Sequence, residues 1–317
     1  VISGNANAGV EIAGPLAANN GIYGNFIGTN IQGDAQAAPR TGTASTPPYP
    51  PSQVNGVLIY QGSGHQVGAI GARNLISGNM VGVSIAALQP GAAEPSNNVV
   101  EANFIGTDAT GMKAVPNYEF GVLITASGRN TIRGNLLSAN GVAGVEILGG
   151  RSQSGGGTGT SLGNTITGNL IGTDAAGQVA FAVTDGTRQI SPISQHPAIT
   201  LPDGLVINYG FQNNGVVVIG ASDNLVTGGN TISGNIQVGV YITRIDNLNN
   251  TYGVPTGNVV QGNNLGLNGI YGVFRYDAPN GNPADANTFA GTPIPIGDFV
   301  TGLNPTTPSN PATSILL

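Results

Sequence analysis

The sequence contains no cysteine and no tryptophan, and it has few charged residues of either sign. Without cysteine, the chain can form no disulfide framework, no cysteine-ligated zinc site and no thiol nucleophile. Only 8% of the residues are Asp, Glu, Lys or Arg, which is about a third of the share in an ordinary soluble domain and argues against charged coiled coils and charged disordered tails. Hydrophobic residues make up 39% of the chain and only 5% of all residues are aromatic, so we expect an aliphatic core.

Basic residues are especially scarce. Nine scattered Lys and Arg residues and a net charge of −6 leave no basic patch for nucleic acid or for an anionic membrane surface. No stretch approaches the roughly 18 consecutive apolar residues of a membrane span, and no amino-terminal segment resembles a signal peptide. We therefore expect no nucleic-acid partner, no membrane insertion in this segment and no cofactor. Residues 1–5 look like the interior of a repeat, which suggests a piece of a longer polypeptide.

Glycine and asparagine, by contrast, are abundant, and many of them belong to a repeated hexapeptide, Asn-x-aliphatic-x-Gly-Asn. Copies begin at Asn20, Asn74, Asn98, Asn130, Asn164, Asn230 and Asn258, with Ala102 in place of glycine in the third copy. A tetrapeptide, Gly-Val-x-aliphatic, follows each copy, and residues 1–5 are an eighth hexapeptide without its first residue. Strict alternation of the two motifs indicates a single repeating unit.

Both motifs have aliphatic residues at alternate positions, as in a β-strand with one buried face. Each unit is therefore predicted to be two short strands joined at corners, where glycine and asparagine can adopt positive φ. Two short strands cannot bury their faces alone, but units stacked coil on coil form continuous parallel sheets around an aliphatic interior. The sequence predicts an all-β, right-handed parallel β-helix of about eight coils.

The predicted interior consists of two files of aliphatic side chains. The first file contains Ile22, Ile76, Val100, Ile132, Ile166, Ile232 and Val260, and the second contains Val83, Val122, Val145, Val216 and Val240. At the bend after the first strand, we expect one ladder of buried asparagines whose amides bond neighbouring coils. Its members are Asn79, Asn103, Asn135, Asn169, Asn235 and Asn263.

Alternate coils carry long insertions, at residues 30–55, 108–120 and 174–214, which should leave from one corner and gather along one edge of the rod. Asp108 and Asp174 recur at the start of two insertions, in the string Gly-Thr-Asp-x-x-Gly, and are expected to cap turns. Arg275 stands where an inward aliphatic should be. The helix is therefore predicted to span residues 1–276, and residues 277–317 a cap or linker rich in Pro, Asn and Thr.

These strings resemble the right-handed parallel β-helix repeats of large secreted or surface-exposed bacterial proteins. The resemblance covers about residues 1–276, and it implies an extracellular, mainly structural or adhesive role. The same fold family includes polysaccharide lyases, hydrolases and epimerases, so the fold alone does not decide the function.

Catalysis on this scaffold would need charged side chains that converge on neighbouring coils. At the outward position of the second strand, Glu11 and Glu146 are four coils apart, about 19 Å at the ~4.8 Å spacing of strands, and cannot act as a pair. Glu101 and Arg133 should form a cross-coil ion pair on a solvated sheet. The two histidines, His65 and His196, fall in predicted loops and are weak candidates for catalysis or ligation.

Two further sets of residues are candidates for binding. Asp277 and Asp285 are weak calcium candidates, because oxygen ligands are closely spaced there but lack the register of an EF-hand. The insertions supply a candidate binding edge for glycan or for neighbouring subunits, consisting of Tyr49, Lys113, Tyr118, Glu119, Arg188 and His196.

The main functional prediction is a non-catalytic, extracellular or cell-surface β-helical segment that acts as a stalk, scaffold or adhesive surface. The alternative is a carbohydrate-active enzyme on the same fold, a polysaccharide lyase, hydrolase or epimerase. An enzyme should show charged side chains that converge, whereas a scaffold should show charges scattered singly.

Overall fold

A computed structural model describes residues 1–37, 53–87, 93–149, 161–178, 199–200, 206–207, 212–244, 252–278 and 281–299. The strands in chain order are β1 (Ala8–Ala13), β2 (Gly21–Ile22), β3 (Phe26–Ile27), β4 (Asn55–Tyr60), β5 (Gln66–Val67), β6 (Leu75–Ile76), β7 (Val81–Ala86), β8 (Val99–Glu101), β9 (Phe104–Ile105), β10 (Phe120–Thr125), β11 (Thr131–Arg133), β12 (Leu136–Leu137), β13 (Ala143–Leu148), β14 (Thr165–Thr167), β15 (Leu170–Ile171), β16 (Ile199–Thr200), β17 (Val206–Ile207), β18 (Asn214–Ile219), β19 (Leu225–Thr227), β20 (Thr231–Ile232), β21 (Val238–Thr243), β22 (Val259–Gln261), β23 (Tyr271–Tyr276) and β24 (Ile294–Phe299). Within these ranges, no helical segment has the length and apolarity that a membrane span requires.

Three parallel sheets form the molecule, which is a right-handed parallel β-helix as predicted. The long-strand sheet has the order β1-β4-β7-β10-β13-β18-β21-β23-β24. The first short-strand sheet has the order β2-β5-β8-β11-β14-β19-β22, and the second has the order β20-β15-β12-β9-β6-β3. Each coil passes through the first short-strand sheet, then the second, then the long-strand sheet. We number coils 1 to 9 by their long strands. The separate pair β16–β17 is antiparallel.

The predicted two strands per coil are thus three, because the hexapeptide occurs in two different sheets. In the copies at Asn98, Asn130 and Asn164 it contains a strand of the first short-strand sheet, whereas the copies at Asn74 and Asn230 contain β6 and β20 of the second. Both sheets require the same inward aliphatic between two corner asparagines, so the motif fits either position. In the two coils that contain β6 and β20, the first short strands, β5 and β19, were not predicted because they lack a full motif.

Inward side chains of the three sheets fill one continuous aliphatic core, from Ile22 to Val273. The predicted first file is buried but divides between two sheets, with Ile76 and Ile232 in the second and the other five in the first. The second predicted file, Val83 through Val240, is confirmed in the long-strand sheet, where each of its members is 0% exposed.

The glycine of the Gly-Val motif is required by close packing between coils. A Cβ atom at Gly82 would lie 2.5 Å from the carbonyl oxygen of Gly121, and one at Gly121 would lie 2.6 Å from that of Gly144. The glycine of the hexapeptide has the predicted reason instead, because Gly78 has a φ of 76° and Gly134 a φ of 61°.

The stack continues past residue 276, where the sequence placed the start of a cap. β24 pairs in parallel with β23 and forms the ninth strand of the long-strand sheet. Arg275 occupies the inward position, and its Nε lies 2.6 Å from Oδ1 of Asp298 on β24. An ion pair thus joins the inward positions of β23 and β24, while Ala284 and Phe289 continue the apolar core and the parallel pairing goes on.

Candidate functional site

Three ladders of polar side chains run along the corners of the rod, where a single one was predicted. The first contains His65, Asn98, Asn130, Asn164, Asn224, Asn258 and Asn282. The second contains Asn25, Asn74, Asn103, Asn135, Asn169, Asn230, Asn263 and Asn287. The third contains Asn79, Asn117, Asn140, Gln212, Asn235, Asn268 and Thr292.

The predicted ladder residues are consequently split between two corners. Asn103, Asn135, Asn169 and Asn263 belong to the second ladder, and Asn79 and Asn235 belong to the third. The reason is that copies of the hexapeptide lie in both short-strand sheets. The last asparagine of a copy therefore follows a strand of the first sheet in some coils and a strand of the second sheet in others. In the coils with insertions, the third-ladder residue comes after the insertion, as Asn117 and Gln212 do.

The insertions leave from the corner between the second short-strand sheet and the long-strand sheet. Asp108 caps a turn there, because its Oδ1 accepts hydrogen bonds from the backbone N–H groups of Met112 at 3.0 Å and Lys113 at 3.2 Å. Asp174 does the same for Ala176 and Gln178, both at 2.9 Å. Turn capping by these aspartates is therefore confirmed.

The candidate binding edge is only partly visible. Tyr49, Arg188 and His196 lie outside the described residues. Lys113 is exposed in its turn, and Tyr118 and Glu119 lie half-buried just before β10. Burial raises the pKa of Glu119. A binding role for this edge stays a prediction.

The two calcium candidates are in different surroundings. Asp277 is buried and forms an ion pair with Arg244, whereas Asp285 is exposed. Among the residues that the structure describes, no group of three His, Asp or Glu side chains could hold a metal ion. The carboxylate of Asp277 is thus engaged by a guanidinium group.

Charged pairs on the short-strand sheets are solitary. Nε of Arg133 lies 2.9 Å from Oε1 of Glu101, and Nη2 lies 3.0 Å from Oε2, which confirms the expected pair between β8 and β11. Gln66 donates a further bond of 3.0 Å to Oε2 of Glu101. The Arg133 side chain is 48% exposed, so this pair fits a solvated surface.

The outer face of the long-strand sheet is different from what the sequence predicted. Its central outward file was treated as facing solvent, but Glu146, Val217, Tyr241 and Phe274 are all buried. From coil 5 to coil 8 this face forms a second apolar cluster, separate from the core inside the helix. Leu58 and Ser84, at the same position in coils 2 and 3, are buried as well, whereas Glu11 in coil 1 is exposed.

Aromatic side chains dominate that cluster at coils 7 and 8. The rings of Tyr241 and Phe274 stack with centroids 5.6 Å apart, and those of Tyr271 and Phe274 with centroids 4.5 Å apart. Tyr252 is 4% exposed and packs in the same cluster, and Tyr276 is a half-buried neighbour. Parallel register causes this arrangement, because it places Tyr241 directly beside Phe274 on adjacent strands.

A charged pair adjoins the aromatic cluster at the ends of the same two strands. Arg244 follows β21 and Asp277 follows β23, and Nη2 of Arg244 lies 3.2 Å from Oδ2 of Asp277. The Arg244 side chain is 34% exposed, whereas that of Asp277 is 3% exposed. The Arg244 guanidinium group is therefore the solvent-accessible member of the pair, and the buried Asp277 carboxylate fixes its position.

The two phenols beside this pair remain protonated at neutral pH. Burial, together with the nearby Asp277 carboxylate, raises the pKa of Tyr276, although Arg244 opposes the shift. Burial is also the main reason that the pKa of Tyr241 is raised. Both hydroxyl groups are therefore hydrogen-bond donors and weak acids at neutral pH. We define Tyr241, Arg244, Tyr276 and Asp277, with the stacked rings beneath them, as the aromatic corner.

The aromatic corner was not predicted, although the sequence contains a signal for it. Five of the nine Tyr and eight Phe residues fall between residues 241 and 276. They were overlooked because candidate chemistry was sought among carboxylates and histidines.

No family model matches the chain, and no curated protein matches it. Solved structures that it resembles include a periplasmic alginate epimerase, AlgG, at 16% identity and a TM-score of 0.43, over 70% of this chain and 39% of that one. The A-module of the Azotobacter vinelandii mannuronan C-5 epimerase AlgE4 matches at 14% identity and a TM-score of 0.44, over 78% of this chain and 55% of that one. A single-substitution mutant of AlgG matches at 16% identity and a TM-score of 0.45, over 82% of this chain and 53% of that one. The chain thus spans about 39 to 55% of the matched chains.

The main functional prediction, a non-catalytic structural or adhesive segment, is wrong. The matched structures are of enzymes in the class named as the alternative. At the aromatic corner a single ion pair, Arg244–Asp277, lies beside two phenols. At these identities the likeness concerns the fold alone, so an activity must be argued from the residues.

Proposed function

We propose that this chain is a carbohydrate-active protein that binds a polysaccharide at the aromatic corner and modifies or cleaves it there. The observation that carries the proposal is the convergence of two protonated phenols and a half-open arginine on two adjacent coils. Elsewhere the molecule is poor in charge, with 8% charged residues over the whole chain.

Binding of a sugar chain is supported by the rigid aromatic base of the corner. The Tyr271–Phe274 stack supports Tyr276 from the neighbouring positions of the same strand. The rings of Tyr241, Tyr271 and Phe274 are buried, so Tyr276, which is half-buried, is the aromatic side chain of the corner that can offer a ring face and a hydroxyl group to a sugar.

The chemistry of the corner favours hydrogen-bond donation. Tyr276 is protonated at neutral pH, and its raised pKa makes it a weak acid, so it fits a hydrogen-bond donor that stabilises an oxyanion. Arg244 can neutralise a carboxylate of the substrate, because its guanidinium group is held by Asp277 and is partly open. An acidic polysaccharide is accordingly the substrate class that uses all three groups.

A polysaccharide substrate favours a location outside the cytoplasm, where such polymers are found. We therefore propose that the protein resides in the cell envelope or outside the cell. A chain without cysteine is compatible with the oxidising conditions there, because it has no thiol to oxidise.

The test is a turnover assay on acidic and neutral polysaccharides. Unsaturated products would indicate a lyase, new reducing ends a hydrolase, and altered sugar configuration by NMR an epimerase. Tyr276→Phe should reduce the rate by about 100-fold or more if the phenol stabilises an oxyanion. Tyr23→Phe is the matched control, since Tyr23 is 46% exposed and adjoins β2 of another sheet, and it should leave the rate unchanged. A wild-type protein that neither binds nor converts any polysaccharide would overturn the proposal.

A further inference from the structure

His65 occupies a place in the first ladder that asparagine fills in the following coils. Its backbone N–H donates to Oδ1 of Asn98 at 3.0 Å, as an asparagine's would. Its Nδ1 takes the place of an asparagine oxygen, lying 3.2 Å from the backbone nitrogen of Asn20 and 3.3 Å from its Nδ2. The predicted loop position of His65 is thus a ladder corner, and the residue is 0% exposed.

This geometry requires a neutral imidazole. Because Nδ1 faces two N–H donors of Asn20, it must carry a lone pair, and the proton of the neutral ring lies on Nε2. Nε2 is buried without a hydrogen-bond partner among the described residues. A methyl group at Gly62 would lie 2.7 Å from Nε2, so the glycine makes room for the larger ring.

We propose that His65 makes the link between coils 2 and 3 sensitive to acid. Protonation would place an N–H on Nδ1 against both donors of Asn20, which breaks both bonds and leaves a charge in a buried site. The corner at residues 14–22 of coil 2 would then lose its side-chain link to the ladder.

The surrounding charges do not oppose this effect. The segments that pack against His65 are residues 14–22, 61–64 and 95–98, and none of them contains a titratable side chain. Tyr60 precedes the second segment, and Glu94 and Glu101 flank the third, where Glu101 is bound to Arg133 and Gln66. Burial lowers the pKa of His65 from the usual 6.5, with no charged group as a cause.

The sign of the pH dependence follows from this direction. Between the folded pKa and the unfolded value of about 6.5, the unfolded chain binds the proton and the folded chain does not. Stability is therefore fully present above the unfolded pKa, and it falls as the pH drops towards the folded pKa.

The decisive comparison uses the only two histidines of the chain. His65→Asn restores the ladder residue of the other coils, and His196→Asn removes the other histidine, which is not one of the residues named in the three ladders. We expect the melting temperature to fall less in His65→Asn than in wild type between about pH 7.5 and about pH 5, and to fall as in wild type in His196→Asn. Equal losses in wild type and His65→Asn would overturn the proposal.

Two direct measurements keep the proposal testable even if His65→Asn folds poorly. The imidazole NMR signal absent from His65→Asn, or retained in His196→Asn, should titrate at a lower pH than an ordinary histidine. The protection factor of the Asn20 amide against hydrogen exchange should fall on acidification in wild type. A His65 signal that titrates at or above the ordinary pKa, or an Asn20 amide with constant protection, would contradict the link.

Discussion

At the residue scale, asparagine holds the coils together by using both ends of its side-chain amide. Oδ1 of Asn135 accepts bonds from the backbone nitrogen and Nδ2 of Asn103, while its own Nδ2 donates to the carbonyl oxygen of Val100 at 2.8 Å. Buried corners contain backbone groups that no strand pairs, and the amide satisfies them. The sequence predicts that such asparagines link neighbouring coils, since they recur at fixed positions of the repeat.

Replacement of one ladder residue should therefore be costly. Asn135→Ala leaves at least two buried backbone groups without partners, each worth about 1 to 3 kcal/mol, so we expect a loss of at least about 2 kcal/mol in the free energy of unfolding. Chemical denaturation measures it. Asn7→Ala is the control, because Asn7 is exposed, and it should change stability by less than about 0.5 kcal/mol. Similar losses in both variants would contradict the ladder's role.

At the scale of strands, the inward positions were predicted correctly from the sequence, but each coil has three strands instead of the predicted two. Ile132 and Ile76 carry the same motif, yet they lie in different sheets. The motif cannot distinguish the sheets, because both need an aliphatic residue between two corner asparagines.

The inward position of β11 offers a direct test of the core. Ile132→Ala should lower the free energy of unfolding by about 2 to 5 kcal/mol, because Ile132 is 0% exposed and the stack cannot collapse around the cavity. Thr131→Ala changes the half-buried outward neighbour on the same strand and should cost far less. Equal effects in a denaturant titration would show that the register of β11 is wrong.

At the scale of the whole molecule, stability should vary along the rod, because each coil contacts mainly its neighbours. The inner coils are packed from both sides, whereas β1 pairs only with β4 among the described strands, and its inward Val10 and Ile12 are only partly buried. The repeat predicts this architecture, but it could not predict the aromatic corner, which depends on outward residues that vary from coil to coil.

Hydrogen exchange followed by mass spectrometry checks this gradient. Amides of β10, β13 and β18 should exchange most slowly and those of β1 most quickly, by about 10-fold or more, because end coils open without disturbing the centre. Uniform protection from β1 to β18 would indicate that the rod unfolds only as a whole.

The three ladders also give the rod a direction. In each of them the donor stands on the earlier coil and the acceptor on the later one, as in the bonds from Asn25 to Asn74 and from Asn263 to Asn287. Amide dipoles that point the same way add along the axis, as peptide dipoles do in an α-helix. A coil can therefore dock on its neighbour in the described stack only in this direction, with its side-chain oxygens placed to accept from the coil before it.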